Sequence, residues 1–232
     1  GIKYCLDEGT MTAEVIAKRN GYEGDIIIPE TVVFKKVSYL VTNIDEHAFY
    51  NCKSLTSITI PDSVTSIGER AFENCVSLTS IVIPDGVTTI GEATFDSCSS
   101  LTSIVIPNGV TSIGEGAFES CSSLKAITIS NSVKSIGEWA YAYCRSMTDI
   151  TIPDGVKSIG VAAFDHCESL TSIVISNSVC IIGEGAFFGC ESLITINYTG
   201  TIAQWNKITL GEDWCYYVPA TVVHCTDGDV EI

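Results

Sequence analysis

The sequence predicts a repeat solenoid: a right-handed superhelix on a parallel β-sheet, with short extended pieces and short helical turns, capped by an N-terminal hairpin. Three observations predict it. A unit of 23 residues recurs six times without insertion or deletion, starting at Leu55, Leu78, Leu101, Leu124, Met147 and Leu170 and ending at Ser192. The composition is 46% hydrophobic and 17% charged, apolar enough for a continuous core. Seven of the eleven cysteines fall at one repeat position. A unit this short cannot bury its apolar face alone, so units must stack, and stability becomes a sum over neighbouring coils.

Residues 1–25 alternate weakly, Tyr4 and Leu6, then Met11, Ala13 and Val15, around Asp7-Glu8-Gly9, and predict a β cap. Residues 26–54 form an irregular first repeat. Ile26, Ile28 and Pro29 match the first half of the unit and residues 41–54 the second, and the surplus Glu30 to Leu40 is expected as a loop or an extra hairpin. Residues 55–192 are the six regular repeats. In the third, Leu101, Ile104 and Ile106 mark a short strand with one face inward. Pro107-Asn108-Gly109 turns the chain: Pro fixes φ, Asn bonds its own backbone, and Gly tolerates positive φ. Val110 and Ile113 return to the core and Gly114 ends that extended piece. Ala117, Phe118 and Cys121 follow, and the Phe-to-Cys spacing of three suits one or two turns of helix. Residues 193–232 are a C-terminal cap in which Leu193, Ile194, Ile196 and Tyr198 make a last strand and Trp205 and Trp214 seal the coil, a sugar-stacking role being the alternative.

The cysteine column is Cys52, Cys75, Cys98, Cys121, Cys144, Cys167 and Cys190. A stack of buried thiols is favoured over disulfides, because seven cannot all pair and in-register side chains project in parallel. Metal ligation favours clustered spacings such as Cys-x-x-Cys, and none occurs. Of the remainder, Cys5, Cys180, Cys215 and Cys225, the last two share the C-terminal cap and leave one disulfide open there.

Function classes narrow by charge. Twelve basic and 28 acidic residues give a net charge of −16, which repels phosphate backbones and anionic lipid, so no nucleic-acid partner is expected. No apolar run approaches the ~20 residues that span a bilayer, so no membrane insertion is expected. The start, Gly1-Ile2-Lys3-Tyr4, reads as a mature or trimmed form. His47, His166 and His224 lie far apart, and no Ser-His-Asp or Cys-His set emerges from them, so an enzyme is not expected. The column Glu69, Glu92, Glu115, Glu138 and Glu184, with Asp62, Asp85 and Asp154, leaves a calcium edge open, but helix-start carboxylates explain it better; no metal and no cofactor are expected.

Two surfaces remain. The outward strand face carries small, nearly neutral residues such as Ser80 and Val82, or Ser103 and Val105. The most individual spot is the fourth unit, where Tyr141 replaces the core Phe. There Trp139 and Tyr143 stand where other units are mostly small or polar and, with Arg145, form the candidate protein-binding patch; packing filler is the competing reading.

The unit Leu-x-x-Ile-x-Ile-Pro-x-x-Val-x-x-Ile-Gly-x-x-Ala-Phe-x-x-Cys-x-Ser resembles the repeat of the BspA-like leucine-rich-repeat family, a variant likened to treponemal repeats. The stretches 198–205 and 223–229 resemble the cap that often closes such arrays. The resemblance implies a leucine-rich-repeat solenoid from a surface or secreted protein of anaerobic, host-associated bacteria or of some parasitic protists. Some members are adhesins for matrix proteins such as fibronectin. It therefore implies a non-enzymatic, secreted or cell-surface binding module whose partner is a host or bacterial surface protein, with the chain expected as a monomer. The alternative is a structural spacer that presents another domain.

Overall fold

Each 23-residue unit closes one three-sided coil in the computed structural model, which describes residues 1–232. The strand side carries in-register parallel strands, with Ile150 opposite Ile173 and Ile152 opposite Ile175. Their inward residues are buried and the alternate ones face out, the period of two that a half-buried strand requires. This side falls into three separate sheets, broken between the strands Ser80–Ile81 and Ser103–Val105 and again between Ala126–Thr128 and Asp149–Ile152. The second side is a ladder of two-residue strands, Ser112 opposite Ser135 and Ile113 opposite Ile136, six strands deep.

The third side corrects an expectation, because it is built of turns and not of helix. Residues 116 and 120 have φ of +57° and +56°, and the same two positions are left-handed in coil after coil. The amides of Gly116, Phe118 and Ser120 donate across to the carbonyls of Glu138, Ala140 and Ala142 in the next coil, each at 2.8 Å. A helix of six residues would gain too few bonds to offset its nucleation, whereas alternating right- and left-handed residues aim three amides per coil at a neighbour. The Phe-to-Cys spacing of three thus reflects consecutive turns. Without helices there is no helix dipole to explain the Glu column. Glu69, Glu115, Glu138 and Glu184 are simply exposed, and Glu92 pairs with Arg70. The one α-helix, Ile202–Trp205, lies outside the repeats and is closed by a capping box of Thr201 and Gln204.

At the N-terminal end, β1 (Lys3–Asp7) and β2 (Thr12–Ile16) form an antiparallel hairpin. Beyond β3 (Gly24–Ile27), the surplus segment is an extra hairpin of β4 (Thr31–Phe34) and β5 (Val37–Ile44), with β5 lying between β4 and β2. Lys35 and Lys36 make its turn with φ of +49° and +67°, a conformation usually left to Asn-Gly.

The core is a stack of rings. Phe49, Phe72, Phe95, Phe118, Tyr141, Phe164 and Phe187 lie 5.1–5.3 Å apart between centroids and within 12° of parallel. Tyr22 closes one end at 4.7 Å and Trp214 closes the other edge-on at 6.1 Å. Trp205 packs on Trp214 and Tyr198. Both cap tryptophans are buried, so they seal the coil and offer no platform to a sugar.

Tyr141 is the one member of the stack with a polar atom, and its hydroxyl is fully buried without a hydrogen-bond partner. An orphaned buried hydroxyl costs about 1–3 kcal/mol. Tyr141→Phe keeps the ring and removes that cost, so it is expected to raise stability by about 1–2 kcal/mol in chemical denaturation. A loss of stability would show that the hydroxyl has a partner in solution.

Candidate functional site

The cysteine column runs beside the ring stack. Each thiol from Cys75 to Cys190 donates to the carbonyl of the aromatic residue 26 positions earlier, as Cys121 does to Phe95 and Cys144 to Phe118, at 3.1–3.3 Å. That carbonyl also accepts the amide of the Cys three residues on, so both of its lone pairs are used. The first rung differs: Cys52 Sγ accepts the Tyr22 amide at 3.1 Å. All eleven cysteines are free thiols, Cys215 and Cys225 included.

Burial raises the ladder thiols, Cys98 to about 12 and Cys121 well above its ordinary value. A pKa raised by folding means that folding favours the protonated thiol. The stability this represents is complete below the unfolded value near 8.5 and is lost as pH climbs toward the folded values. Denaturation midpoints are therefore expected to hold steady up to pH ~8 and to fall steeply between pH ~9 and ~12. At pH 8, exposed Cys5 and Cys180 should react with a thiol reagent while the ladder stays silent until the chain unfolds. Rapid reaction of seven or more thiols in the folded chain would contradict this packing.

Trp139, Tyr143 and Arg145 lie on the turn side, where Trp139 and Tyr143 hold left-handed positions with φ of +56° and +60°. Two of the three come together. The Arg145 guanidinium lies 5.8 Å from the centre of the Tyr143 ring, and its Nε is 3.2 Å from Glu168 Oε1 in the next coil. Trp139 is 37% exposed, packs against no other ring, and stands apart from that pair.

Tyr143 belongs to a larger row that spacing alone did not expose. His166, at the same repeat position one coil on, stacks on Tyr143 at 5.3 Å. Phe188 packs on His166 at 5.6 Å, and Tyr216 and Tyr217 pack on Phe188 at 5.9 and 5.5 Å. The signal was present for His166, 23 residues after Tyr143. It was hidden for Tyr216, because the cap shifts the register to 27: Gly185, Phe187 and Gly189 donate to Glu212, Trp214 and Tyr216.

Carboxylates flank the row. Asp165 Oδ1 lies 2.9 Å from His166 Nδ1. Burial raises Glu119, and nearby Asp96, Glu115 and Asp165 add to the shift. Burial also raises Tyr143, with Asp165 and Glu119 contributing. Where the fourth unit has Ala142 in place of a carboxylate, a groove of about 370 Å³ opens between Glu119, Ser120, Ser122, Tyr143 and Arg145. His47 lies beside Glu46 at the opposite end, and His224 beside Asp229 in the cap. The structure therefore does not gather the three histidines.

The strand face has a shallow depression of about 700 Å³ at the interruptions of its sheet, over Val82, Val105 and Thr128, with Asp85, Asn108 and Asn131 at its rim. Val82 and Val105 are 80% and 64% exposed, but the lining holds no aromatic ring or Arg.

No helix is long and apolar enough to cross a membrane. No curated protein sequence matches the chain. Among solved structures it is similar to a leucine-rich-repeat protein of T. pallidum, with 26% identity and a TM-score of 0.62 over 94% of this chain and 88% of that one. A leucine-rich-repeat protein of Bacteroides ovatus shares the fold at 24% identity and a TM-score of 0.51, over 94% and 79%. The pneumococcal vaccine antigen PcpA does so at 16% and 0.52, over 97% and 79%. The model of the BspA-type leucine-rich-repeat region matches residues 30–147 and 98–211 in six copies. With its repeats, its ring stack and this match over most of its length, the chain belongs to the BspA-type leucine-rich-repeat family.

Proposed function

We propose that this chain is the non-enzymatic protein-binding module of a cell-surface or secreted bacterial protein, an adhesin for a host matrix protein such as fibronectin, and that it binds through its turn side. One observation carries this reading. In an array of near-identical coils, half-exposed aromatic rings and an Arg gather in one row from Tyr143 to Tyr217, bordered by carboxylates. Aromatic and Arg side chains dominate binding energy at protein interfaces. A spacer needs no such row, whereas the strand face, broad and nearly neutral, would suit one. The surface or secreted location is carried over from the family resemblance.

The test is a binding screen of immobilised matrix proteins and glycans with wild type, Trp139→Ala and Tyr143→Ala. A matrix protein is expected to bind wild type and to bind Tyr143→Ala at least fivefold more weakly, since losing an anchor side chain at an interface costs upward of about 1 kcal/mol. Trp139→Ala reports whether the isolated Trp shares the site. If nothing binds, the spacer reading replaces this one.

A further inference from the structure

We propose that the C-terminal end of the turn side takes an arginine-bearing segment of its partner, seating one guanidinium on the Phe188, Tyr216 and Tyr217 rings against Glu191. This rests on the binding-module reading above and specifies the chemistry of the partner.

The chain already shows the arrangement once. Arg145 lies over the Tyr143 ring and reaches Glu168 of the following coil. Advancing by 23 residues along the same column gives Arg145, Glu168 and Glu191. Arg145 occupies Glu168, while Glu191 is exposed and forms no ion pair. The Glu191 amide donates to the Gly189 carbonyl, and the Gly189 amide donates to the Tyr216 carbonyl at 3.0 Å, so Glu191 borders the coil of the tyrosines. The rings needed beside it are present. Tyr216 and Tyr217 are 50% and 63% exposed, their centroids lie 4.2 Å apart, and Tyr217 stands at 79° to Phe188. Together the three rings make an open corner. Gly189, at the Tyr143 position of this coil, leaves the corner uncovered. A carboxylate and a cation-accepting ring thus recur without the cation that joins them one coil earlier.

Charge selects the occupant. After Arg145 the chain holds two basic residues, Lys157 and Lys207, against eleven acidic ones, a net charge of −9. This end of the solenoid attracts a cationic segment and repels an acidic one. Between the two basic side chains the site favours arginine. Its guanidinium is planar and weakly hydrated, stacks on an aromatic face, and presents a fork of donors to a carboxylate, whereas an ammonium is a strongly hydrated point charge.

Fluorescence anisotropy of labelled ten-residue peptides with the full chain tests this. The probes alternate Gly with Arg, with Lys or with Ser. The Arg peptide is expected to bind, the Lys peptide several-fold more weakly and the Ser peptide not at all. Tyr216→Ala and Glu191→Gln should each weaken the Arg peptide by about fivefold, the scale of one cation–π or charge-assisted contact at a half-exposed site. Val105→Ser on the strand side should leave binding unchanged. Tyr216 and Glu191 are exposed, so thermal melts of these variants should match wild type and exclude misfolding. Equal binding of the Arg and Lys peptides, unaffected by either substitution, would reduce the effect to diffuse attraction by the net charge and overturn the proposal. So would no binding of the Arg peptide at millimolar concentration. A matrix protein that binds while the Arg peptide does not would leave the module reading standing and remove this site. The Arg peptide binding where no matrix protein does would support the site and remove the matrix partner.

Discussion

Phe118→Ala is expected to lower stability by about 3–5 kcal/mol. Phe118 is fully buried and stacks at 5.3 Å on Phe95 on one side and on Tyr141 on the other. Removing the ring forfeits its burial and leaves a cavity that neither neighbour can fill, because both are held by their own coils through the amides on the turn side. The position matters as much as the volume. Stability in a stacked array is a sum over adjacent coils, and a break at Phe118 weakens two interfaces near the middle. Urea denaturation measures the effect, provided the transition stays cooperative. A loss below about 1 kcal/mol would place Phe118 outside the core. Val105→Ala, on the exposed strand face, is the matched control and should fall within about 0.5 kcal/mol of wild type.

Gly137→Ala is expected to cost about 3 kcal/mol, against the usual benefit of adding a methyl group to glycine. Its φ is not left-handed, so alanine has no backbone strain there, and restricting the unfolded chain would by itself stabilise by about 0.4–1 kcal/mol. The added Cβ, however, would lie 2.5 Å from the carbonyl carbon of Gly114 and 2.8 Å from the amide nitrogen of Glu115. Both are backbone of the preceding coil, so relief requires two coils to move apart and stretches the ladder Ser112–Ile113 to Ser135–Ile136. The clash therefore outweighs the entropy. An unchanged or raised denaturation midpoint would mean that the coils are spaced more widely than the structure has them. The column Gly68, Gly91, Gly114, Gly137, Gly160 and Gly183 thus does more than end an extended piece, since it sets how closely coils approach on that side.

The fold was legible in the sequence wherever the same requirement repeats. Leu101, Ile104, Val110, Ile113 and Phe118 are all buried, as their periodicity implies, and Glu30 to Leu40 does hold an extra hairpin. The turn side was legible in its burial but not in its backbone. A spacing of three between Phe118 and Cys121 arises from helix and from consecutive turns alike. Only the left-handed positions separate the two, and they are filled by Gly116 in one coil but by Ala93, Trp139 or Ala162 in others. The candidate site was half legible. Tyr143 and Arg145 stand out as departures from the repeat, and the structure joins them. Trp139 departs equally and is left alone, because two left-handed residues four apart do not share a face as helical ones would. Phe188, Tyr216 and Tyr217 escaped because the cap changes the period from 23 to 27, so that their column can be followed only through the hydrogen bonds between coils.

Hydroxyl-radical footprinting of the chain, free and bound to the matrix protein selected by the screen, separates the two surfaces most directly, because it reads side-chain exposure residue by residue. Protection of Tyr143, Phe188, Tyr216 and Tyr217, with Val82 and Val105 unchanged, is the predicted result. Protection of Val82 and Val105, with the tyrosines still fully reactive, would move binding to the strand face and contradict a turn-side site.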